Sequence, residues 1–307
     1  MKIVVFGAGV QGTLYGVRLA AAGHDVTLVA RGDRAKELRD KGAVIQDAMT
    51  GRTNLMNLPV VETLLANTTA DLGLVFVRRE QISQALPALT AAVNVQRFVF
   101  MFNHANGSEF LFHAIGRKRV VLGFPGAGGS IEEGVDRYVD IPEQGTVIQS
   151  AAPEVASILR HAGFPTKLVA DMDAWLKRHA VMITAIGGAI CEKDGNARVV
   201  SADANLVRTI VLAVREGWGA LDKQHVTPAS LALRTIFQWV PLPFAVLYWR
   251  RLIGSARGDY YFARHTRHAA AEMKAIASDI HKILAVNEMP ALGRLYAALE
   301  KPVGQVG

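Results

Sequence analysis

The first 31 residues constrain the fold more than any other part of the chain. Apolar residues 3–6 are followed by a GxGxxG sequence, a helical pattern over 13–22 and a second apolar run over 26–30. The order is strand, glycine turn, helix and strand, which is the βαβ context in which GxGxxG predicts dinucleotide binding. The turn consists of Gly7, Ala8, Gly9, Val10, Gln11 and Gly12.

Each glycine of this turn has a separate expected role. Gly7 allows a tight turn, Gly9 lets a pyrophosphate approach the backbone, and Gly12 lets the helix pack close to the strand. The amides at the start of the helix then point at the phosphates. We therefore expect a Rossmann-type cofactor site at this end of the sheet.

The residue that ends the second strand, Arg31, predicts which dinucleotide binds. An acidic side chain at that point would accept the ribose 2′-hydroxyl of NAD, whereas a cation suits the 2′-phosphate of NADP. Arg34 lies close enough in sequence to help. The alternative is that Arg31 is a solvated loop residue. We expect NADP(H) as the cofactor.

Composition limits the other possibilities. The chain has 307 residues, of which 50% are hydrophobic, and this is enough for two domains with real cores. The single cysteine, Cys191, excludes a disulfide framework and a cysteine-based metal site, and it favours a reducing, cytoplasmic location. The net charge of +7 includes no run of lysines or arginines, so we expect a small anionic substrate and no nucleic acid.

One apolar stretch, 236–249, raises the question of membrane contact. It is shorter than the roughly 20 residues that a spanning helix needs, and it contains Pro241 and Pro243. We expect a buried or dimer-facing segment and no membrane contact. The predicted helices 202–223 and 244–253 are more apolar than one small domain needs, which favours a homodimer formed through this part of the chain.

Strand and helix patterns alternate up to about residue 170, and helical periodicity dominates from 171 onward. The sequence therefore predicts an α/β Rossmann-type dinucleotide-binding domain over 1–168 and an all-α domain over 169–307. Within the first domain we expect a glycine-rich loop over 124–129. Two antiparallel strands, 135–141 and 146–150, should close the edge of the sheet.

Four stretches together resemble the ketopantoate reductase family, the 2-dehydropantoate 2-reductases. They are GAGVQG at 7–12, the segment 23–31, Asn103 at the end of a strand, and Trp175-Leu176-Lys177 at the head of the helical domain. The resemblance implies a Rossmann domain followed by a helical domain like the carboxyl-terminal domain of 6-phosphogluconate dehydrogenase. It also implies reduction of the ketone of ketopantoate with NADPH.

The resemblance also implies roles for individual residues. Lys177 matches the family's general acid, and Asn103 matches an asparagine beside the nicotinamide and the substrate. Ser255 and Asp259 match substrate-positioning residues when Arg264-His265-Thr266 is aligned with a similar family triplet. Further cofactor contacts are implied for Arg78, in place of a family lysine, and for Gly129.

Two of these residues can also be argued from chemistry. Ketone reduction develops negative charge on oxygen, which a lysine such as Lys177 would stabilise or protonate. Asn103 follows a strand, where open α/β sheets bind ligands. The alternatives are a surface lysine beside Arg178, a turn-forming asparagine, and a plain flexible loop at 124–129.

Histidines and arginines cluster at 264–268. His265 and His268 have a spacing that would suit a metal, but no acidic or cysteine partner is near in sequence, and we expect no metal. An anionic ligand and a solvated basic face are the two alternatives. His179, on the same helix as Lys177, is a second candidate proton donor or else a packed side chain.

Departures from the family pattern concern the substrate. Family asparagines four and eight residues beyond the lysine are replaced by Val181 and Ala185, and a family glutamate is replaced by Arg267. We therefore expect a reductase with a remodelled pocket, acting on a small 2-keto acid or related carbonyl compound. The alternative is an NADP(H)-binding relative that has lost the chemistry.

Overall fold

The computed structural model describes residues 1–300; residues 301–307, the end of the predicted second domain, lie outside the described residues. The chain forms two compact units. The first contains Met1–Phe102 and Ser108–Met172, and the second contains Asn103–Gly107 and the described residues from Asp173 onward.

The first unit contains all of the strands found in the described part of the chain. They are β1 Lys2–Phe6, β2 Asp25–Val29, β3 Ala43–Asp47, β4 Thr53–Met56, β5 Val60–Val61, β6 Leu72–Val75, β7 Phe98–Met101, β8 Val120–Phe124, β9 Ala127–Glu132, β10 Val135–Asp140, β11 Thr146–Gln149 and β12 Thr166–Val169.

The main sheet has eight strands in the order β12-β11-β8-β7-β6-β1-β2-β5. The six neighbouring strands β8, β7, β6, β1, β2 and β5 are all parallel to one another. β11 is antiparallel to β8, and β12 is parallel to β11. β6 and β7 are buried along their whole length, as expected for the continuous apolar runs of a parallel sheet covered on both faces. The Rossmann-type prediction is confirmed.

A second sheet corrects two expectations. It has the order β4-β3-β10-β9. The predicted edge strand 135–141 is therefore β10 of this sheet, pairing with β9 and β3. Residues 127–129 are not loop but the start of β9, because their glycines allow close strand contact: a Cβ on Gly129 would lie 2.2 Å from the Arg137 carbonyl oxygen.

Five α-helices connect the strands of the first unit. α3 continues through Pro87, which forfeits only one backbone hydrogen bond. Short 3₁₀ turns lie at Arg79–Gln81 and Arg117–Arg119. The helices are α1 Val10–Ala21, α2 Gly32–Lys41, α3 Ile82–Ala91, α4 Glu109–Ile115 and α5 Pro153–His161.

The second unit is helical throughout its described residues. The helical stretch after residue 259 is interrupted at Ala269, and π-helical turns occupy Thr235–Trp239 and Asp259–Ala263. A 3₁₀ turn lies at Val286–Glu288. The helices are α6 Met172–Glu192, α7 Ala197–Ala202, α8 Ala204–Lys223, α9 Leu231–Arg234, α10 Leu242–Ile253, α11 Ala256–Gly258, α12 Arg264–His268, α13 Ala270–Ile283 and α14 Pro290–Leu299.

The long apolar helices of this unit bury many of their apolar side chains in its own core. α8 buries Ile210, Val214 and Trp218 completely, and they join a cluster with residues of α6, α10 and α14. Within residues 1–300 no single helix has both the length and the apolar composition to cross a membrane. The segments Leu231–Trp239 and Leu242–Ile253 would pass only as a pair, and they meet at a bend of 120°.

Candidate functional site

The glycine turn joins β1 to α1, and two of its glycines are fixed by packing. Gly7 has φ of +99° and a Cβ there would lie 2.0 Å from the Phe76 carbonyl oxygen. A Cβ on Gly12 would lie 2.0 Å from the Gly7 carbonyl oxygen. The backbone therefore excludes side chains at both positions, and Gly12 brings α1 close to the turn as the sequence predicts.

Gly9 differs because a Cβ there would meet no atom within 4 Å. The residue is exposed at the start of α1 and lines a cavity of about 340 Å³. The amides of the first helical turn have no partner within the helix, and that turn contains no acidic residue. An anion placed beside Gly9 would meet these amides, so the glycine turn fits a pyrophosphate.

The other residues of the turn are held in place by contacts to neighbouring elements. The Ala8 carbonyl oxygen accepts hydrogen bonds from Arg34 Nε at 2.9 Å and Thr13 Oγ1 at 3.1 Å. Gln11 Nε2 donates to the Ala127 carbonyl oxygen at 2.9 Å. Val10 packs against Gly129, since a Cβ on that glycine would lie 2.8 Å from Val10 Cγ1.

Arg31 supplies the free cation of this cavity. It is exposed and lines the cavity at the end of β2. Its guanidinium has no hydrogen-bonding or ionic partner among residues 1–300. A phosphate at the ribose 2′ position therefore has one uncommitted arginine to pair with.

Arg34 lines the same cavity, but its guanidinium is already paired with protein groups, which leaves it less available to a ligand than Arg31. Besides its bond to Ala8, it donates to Glu37 at 2.7 Å and pairs with Asp136 of β10. Asp136 is completely buried, and burial raises its pKa to about 6 even though the pairing with Arg34 lowers it. No sequence signal pointed to Asp136, because its pairing joins α2 to β10 across 102 residues of the chain.

Two further predicted cofactor residues lie apart from this cavity lining. Arg78 follows β6 and is exposed, and its guanidinium has no partner in the described chain. Gly129 lies within β9, where close packing against Val10 and Arg137 accounts for the glycine. The predicted flexible loop at 124–129 is thus wrong from residue 127 onward, and Gly129 has a packing role in the structure.

Asn103 is 2% exposed, and neither its side-chain nitrogen nor its oxygen has a hydrogen-bond partner in the described structure. It follows β7 but belongs to the helical unit, whose core includes Ala105. A buried amide without partners costs free energy, so such a group needs an explanation. A ligand that both donates to and accepts from this amide would supply it.

Lys177 is half-buried on α6, and its ammonium group has no partner within residues 1–300. Four and eight residues later, Val181 and Ala185 are completely buried in the helical core. Helical residues at this spacing share one face. The positions that carry asparagines in the family are therefore part of the packed core here and cannot hold a polar ligand.

His179 is not an acid at neutral pH. Its ring stacks on Trp175, with centroids 4.8 Å apart. Burial, assisted by the neighbouring His265, lowers the pKa of His179 to about 3. The imidazole is therefore largely neutral near pH 7, which disfavours His179 as the proton donor.

Ser255 and Asp259 lie close together after α10, and both have internal partners. Ser255 Oγ donates to the Leu252 carbonyl oxygen at 2.7 Å and accepts from the Gly258 amide at 3.0 Å. Asp259 accepts from Arg264 at 2.9 Å and lies 3.5 Å from Arg267. Substrate contacts by either residue would have to use their remaining lone pairs.

The positive charges of the basic cluster 264–268 are partly balanced by acidic residues of the same unit, so the cluster is more than a solvated basic face. Arg264 and Arg267 converge on Asp259, and His265 Nε2 lies 3.8 Å from Glu272 Oε2. Arg267, the charge reversal noted in the sequence, also donates to the Gly195 carbonyl oxygen at 2.6 Å. No group of three or more potential metal ligands occurs among the described residues.

Comparison with known proteins gives three kinds of match. Residues 3–150 match the family model described as ketopantoate reductase PanE/ApbA. A 2-dehydropantoate 2-reductase of Pyrococcus horikoshii is 27% identical over 252 residues, covering 78% of this chain and 80% of the relative.

The solved structures show the same fold at low identity. D-mandelate dehydrogenase with NADH and anilino(oxo)acetate has a TM-score of 0.75 and 14% identity, with 97% of each chain covered. A PanE/ApbA family ketopantoate reductase from Ralstonia eutropha has a TM-score of 0.74 and 17% identity over the same shares.

Proposed function

We propose that this protein is a divergent member of the ketopantoate reductase family, which its matches resemble, and that it reduces a small 2-keto acid or related carbonyl compound with NADPH. One observation carries the proposal: the Gly9 turn and the uncommitted Arg31 line the same cavity at the start of α1. A dinucleotide needs a close backbone approach for its pyrophosphate, and NADP needs a cation for its 2′-phosphate.

The cofactor would be held by the glycine turn and by cations. The first-turn amides of α1 would bind the pyrophosphate, Arg31 would pair with the 2′-phosphate, and Arg78 lies just beyond the cavity residue Val77. When bound, the nicotinamide supplies the hydride of the reduction. The Arg34 contacts to Ala8 and Asp136 keep the turn in its binding shape.

Lys177 is the proposed catalytic residue because its ammonium group is uncommitted. It would stabilise the negative charge that develops on the carbonyl oxygen and deliver a proton to it. The unpaired amide of Asn103 would orient the substrate or the cofactor, and Ser255 and Asp259 would contact the substrate. The burial of Val181 and Ala185 favours a substrate other than ketopantoate.

A non-catalytic NADP(H)-binding relative is the second candidate function. It is favoured by the apolar residues at 181 and 185 and by the engagement of Arg267 with Asp259 and Gly195. A protein of this kind would bind NADPH but would not oxidise it with any carbonyl compound.

The deciding experiment follows NADPH consumption against a panel of 2-keto acids, other ketones and imines. We expect turnover of at least one 2-keto acid, and we expect Lys177→Met to reduce it by about 100-fold or more while NADPH affinity stays unchanged. Lys223→Met, at an exposed lysine of the same unit, is the control. Nucleotide binding with no turnover across the panel would establish the second candidate instead.

We also propose that the protein is a homodimer and that the exposed face of α10 forms the contact. Most of the large apolar residues of α8 are buried in the core of its own unit, contrary to the sequence expectation. α10 instead exposes Phe244, Leu247 and Tyr248 on one face, and Trp239, shortly before α10 in the chain, is also exposed. Light scattering should give twice the chain mass, and Phe244→Ser should lower it to one chain. A monomeric mass for the unaltered protein would contradict the proposal.

A further inference from the structure

The cofactor cavity carries a carboxylate as well as a cation. β5 is the parallel neighbour of β2, with Val61 opposite Val29, and the Ala30 amide donates to the Val61 carbonyl oxygen at 3.0 Å. Glu62 is the next residue after β5, so it lies beside Ala30 and Arg31 at the carboxyl edge of the sheet. Glu62 and Arg31 both line the cavity.

Half of the Glu62 carboxylate is uncommitted. Oε1 accepts from Arg39 of α2 at 2.9 Å, and Oε2 has no partner among residues 1–300. The two side chains are 52% and 44% exposed. An ion pair as exposed as this contributes little to stability, so the fold itself does not account for it.

The chemistry of the carboxylate points to the ribose. In NAD-binding sheets an acidic side chain after the second strand accepts the ribose 2′-hydroxyl. Here that point carries Arg31, and the acidic group comes from the neighbouring strand. A free carboxylate oxygen accepts a hydrogen bond from a hydroxyl group, and it repels a phosphate dianion at the same place.

We propose that Glu62 sets the cofactor preference: it offers NADH a ribose-hydroxyl acceptor and weakens NADPH, so that both nucleotides bind. Arg39 is the positioning residue that draws the carboxylate toward α2 and partly neutralises it. This inference rests on the proposed dinucleotide site, and it makes the preference a balance between Arg31 and Glu62.

The test measures dissociation constants for NADPH and NADH by fluorescence titration, without any substrate. In Glu62→Gln we expect NADPH to bind roughly five-fold more tightly and NADH several-fold more weakly, because one nearby charge and one acceptor are removed. In Arg39→Gln, where the carboxylate is released, NADPH should bind more weakly. Because both side chains are exposed, the variants should fold, and thermal unfolding checks this.

Glu109→Gln is the matched control. Glu109 forms a similarly exposed pair with Arg117 in the same unit, at 3.0 Å, and lies outside the cavity lining. It should leave both constants unchanged. A NADPH-to-NADH affinity ratio in Glu62→Gln within two-fold of the parent would overturn this inference alone. Binding of neither nucleotide to the unaltered protein would overturn the proposed function and this inference together.

Discussion

Replacing Gly9 with alanine separates nucleotide binding from folding. A Cβ at this position meets nothing within 4 Å, and the φ of −74° is accessible to alanine. Alanine is a poorer helix cap than glycine, but it lowers the entropy of the unfolded chain. These two effects nearly cancel, so we expect the free energy of unfolding to change by less than about 1 kcal/mol.

The effect on binding should be much larger. The added methyl group lies in the space that a pyrophosphate would occupy, and moving the phosphate away weakens its hydrogen bonds to the α1 amides. Each hydrogen bond to a charged group contributes about 1.5–3 kcal/mol. Loss of one or two predicts NADPH binding weaker by roughly ten-fold to more than a hundred-fold.

Calorimetric titration with NADPH, together with urea unfolding, measures both quantities on one preparation. Gly12→Ala is the contrasting variant, because its Cβ would lie 2.0 Å from the Gly7 carbonyl oxygen and the backbone must move. It should lose stability as well as binding. If Gly9→Ala bound NADPH within three-fold of the parent, the assignment of this cavity to the pyrophosphate would be refuted.

Three further predictions concern buried polar groups and their pH dependence. Burial raises the pKa of Asp136 to about 6, so this residue makes the folded protein less stable as pH rises from about 4 to 6. The unfolding free energy of the parent, measured relative to that of Asp136→Asn in urea titrations, should fall by about 1–3 kcal/mol over that window. Asn103→Ala removes two unpaired polar atoms and should unfold at the same or a higher urea concentration while keto-acid turnover is lost, whereas Thr184→Ala, which breaks bonds to Ala180 and Tyr296, should cost about 1–2 kcal/mol. His179→Gln should make the protein less sensitive to acid between about pH 6.5 and pH 4, because a histidine whose pKa is about 3 when folded binds its proton mainly after unfolding; equal acid midpoints by circular dichroism would contradict this.

The amino-terminal βαβ unit could be predicted because every signal for it is local. Its hydrophobic runs, its glycine spacing and Arg31 lie within one short stretch, and the observed strands and helix begin and end within a few residues of the expected bounds. The cavity follows directly, since parallel strands deliver their carboxyl ends to one edge.

The second sheet could not be predicted in the same way because its evidence is non-local. Gly128 and Gly129 suggested a loop, but both lie in β9 and pair with β10, and Gly129 allows the close approach of that strand. β10 itself pairs with β3, about ninety residues earlier in the chain. Strand propensity alone cannot tell which of two sheets a segment joins.

The sequence also could not predict which charged residues are free to bind a ligand. Arg34 and Arg267 each read as a free cation, and each is committed to an aspartate and a backbone carbonyl. Whether an arginine is available for a ligand depends on partners far away in the chain. Lys177 and Arg31 had the same sequence appearance and have no such partners.

Arg34 links the glycine turn to β10 through its hydrogen bond to Ala8 and its ion pair with Asp136, so substitutions in β10 should affect nucleotide binding. A screen for defective nucleotide binding would recover changes at β10, although Asp136 is completely buried and does not line the cavity. Substitutions there would act by relaxing the curvature of the turn. Loss of affinity in such variants would report on the shape of the cradle and not on a contact to the cofactor.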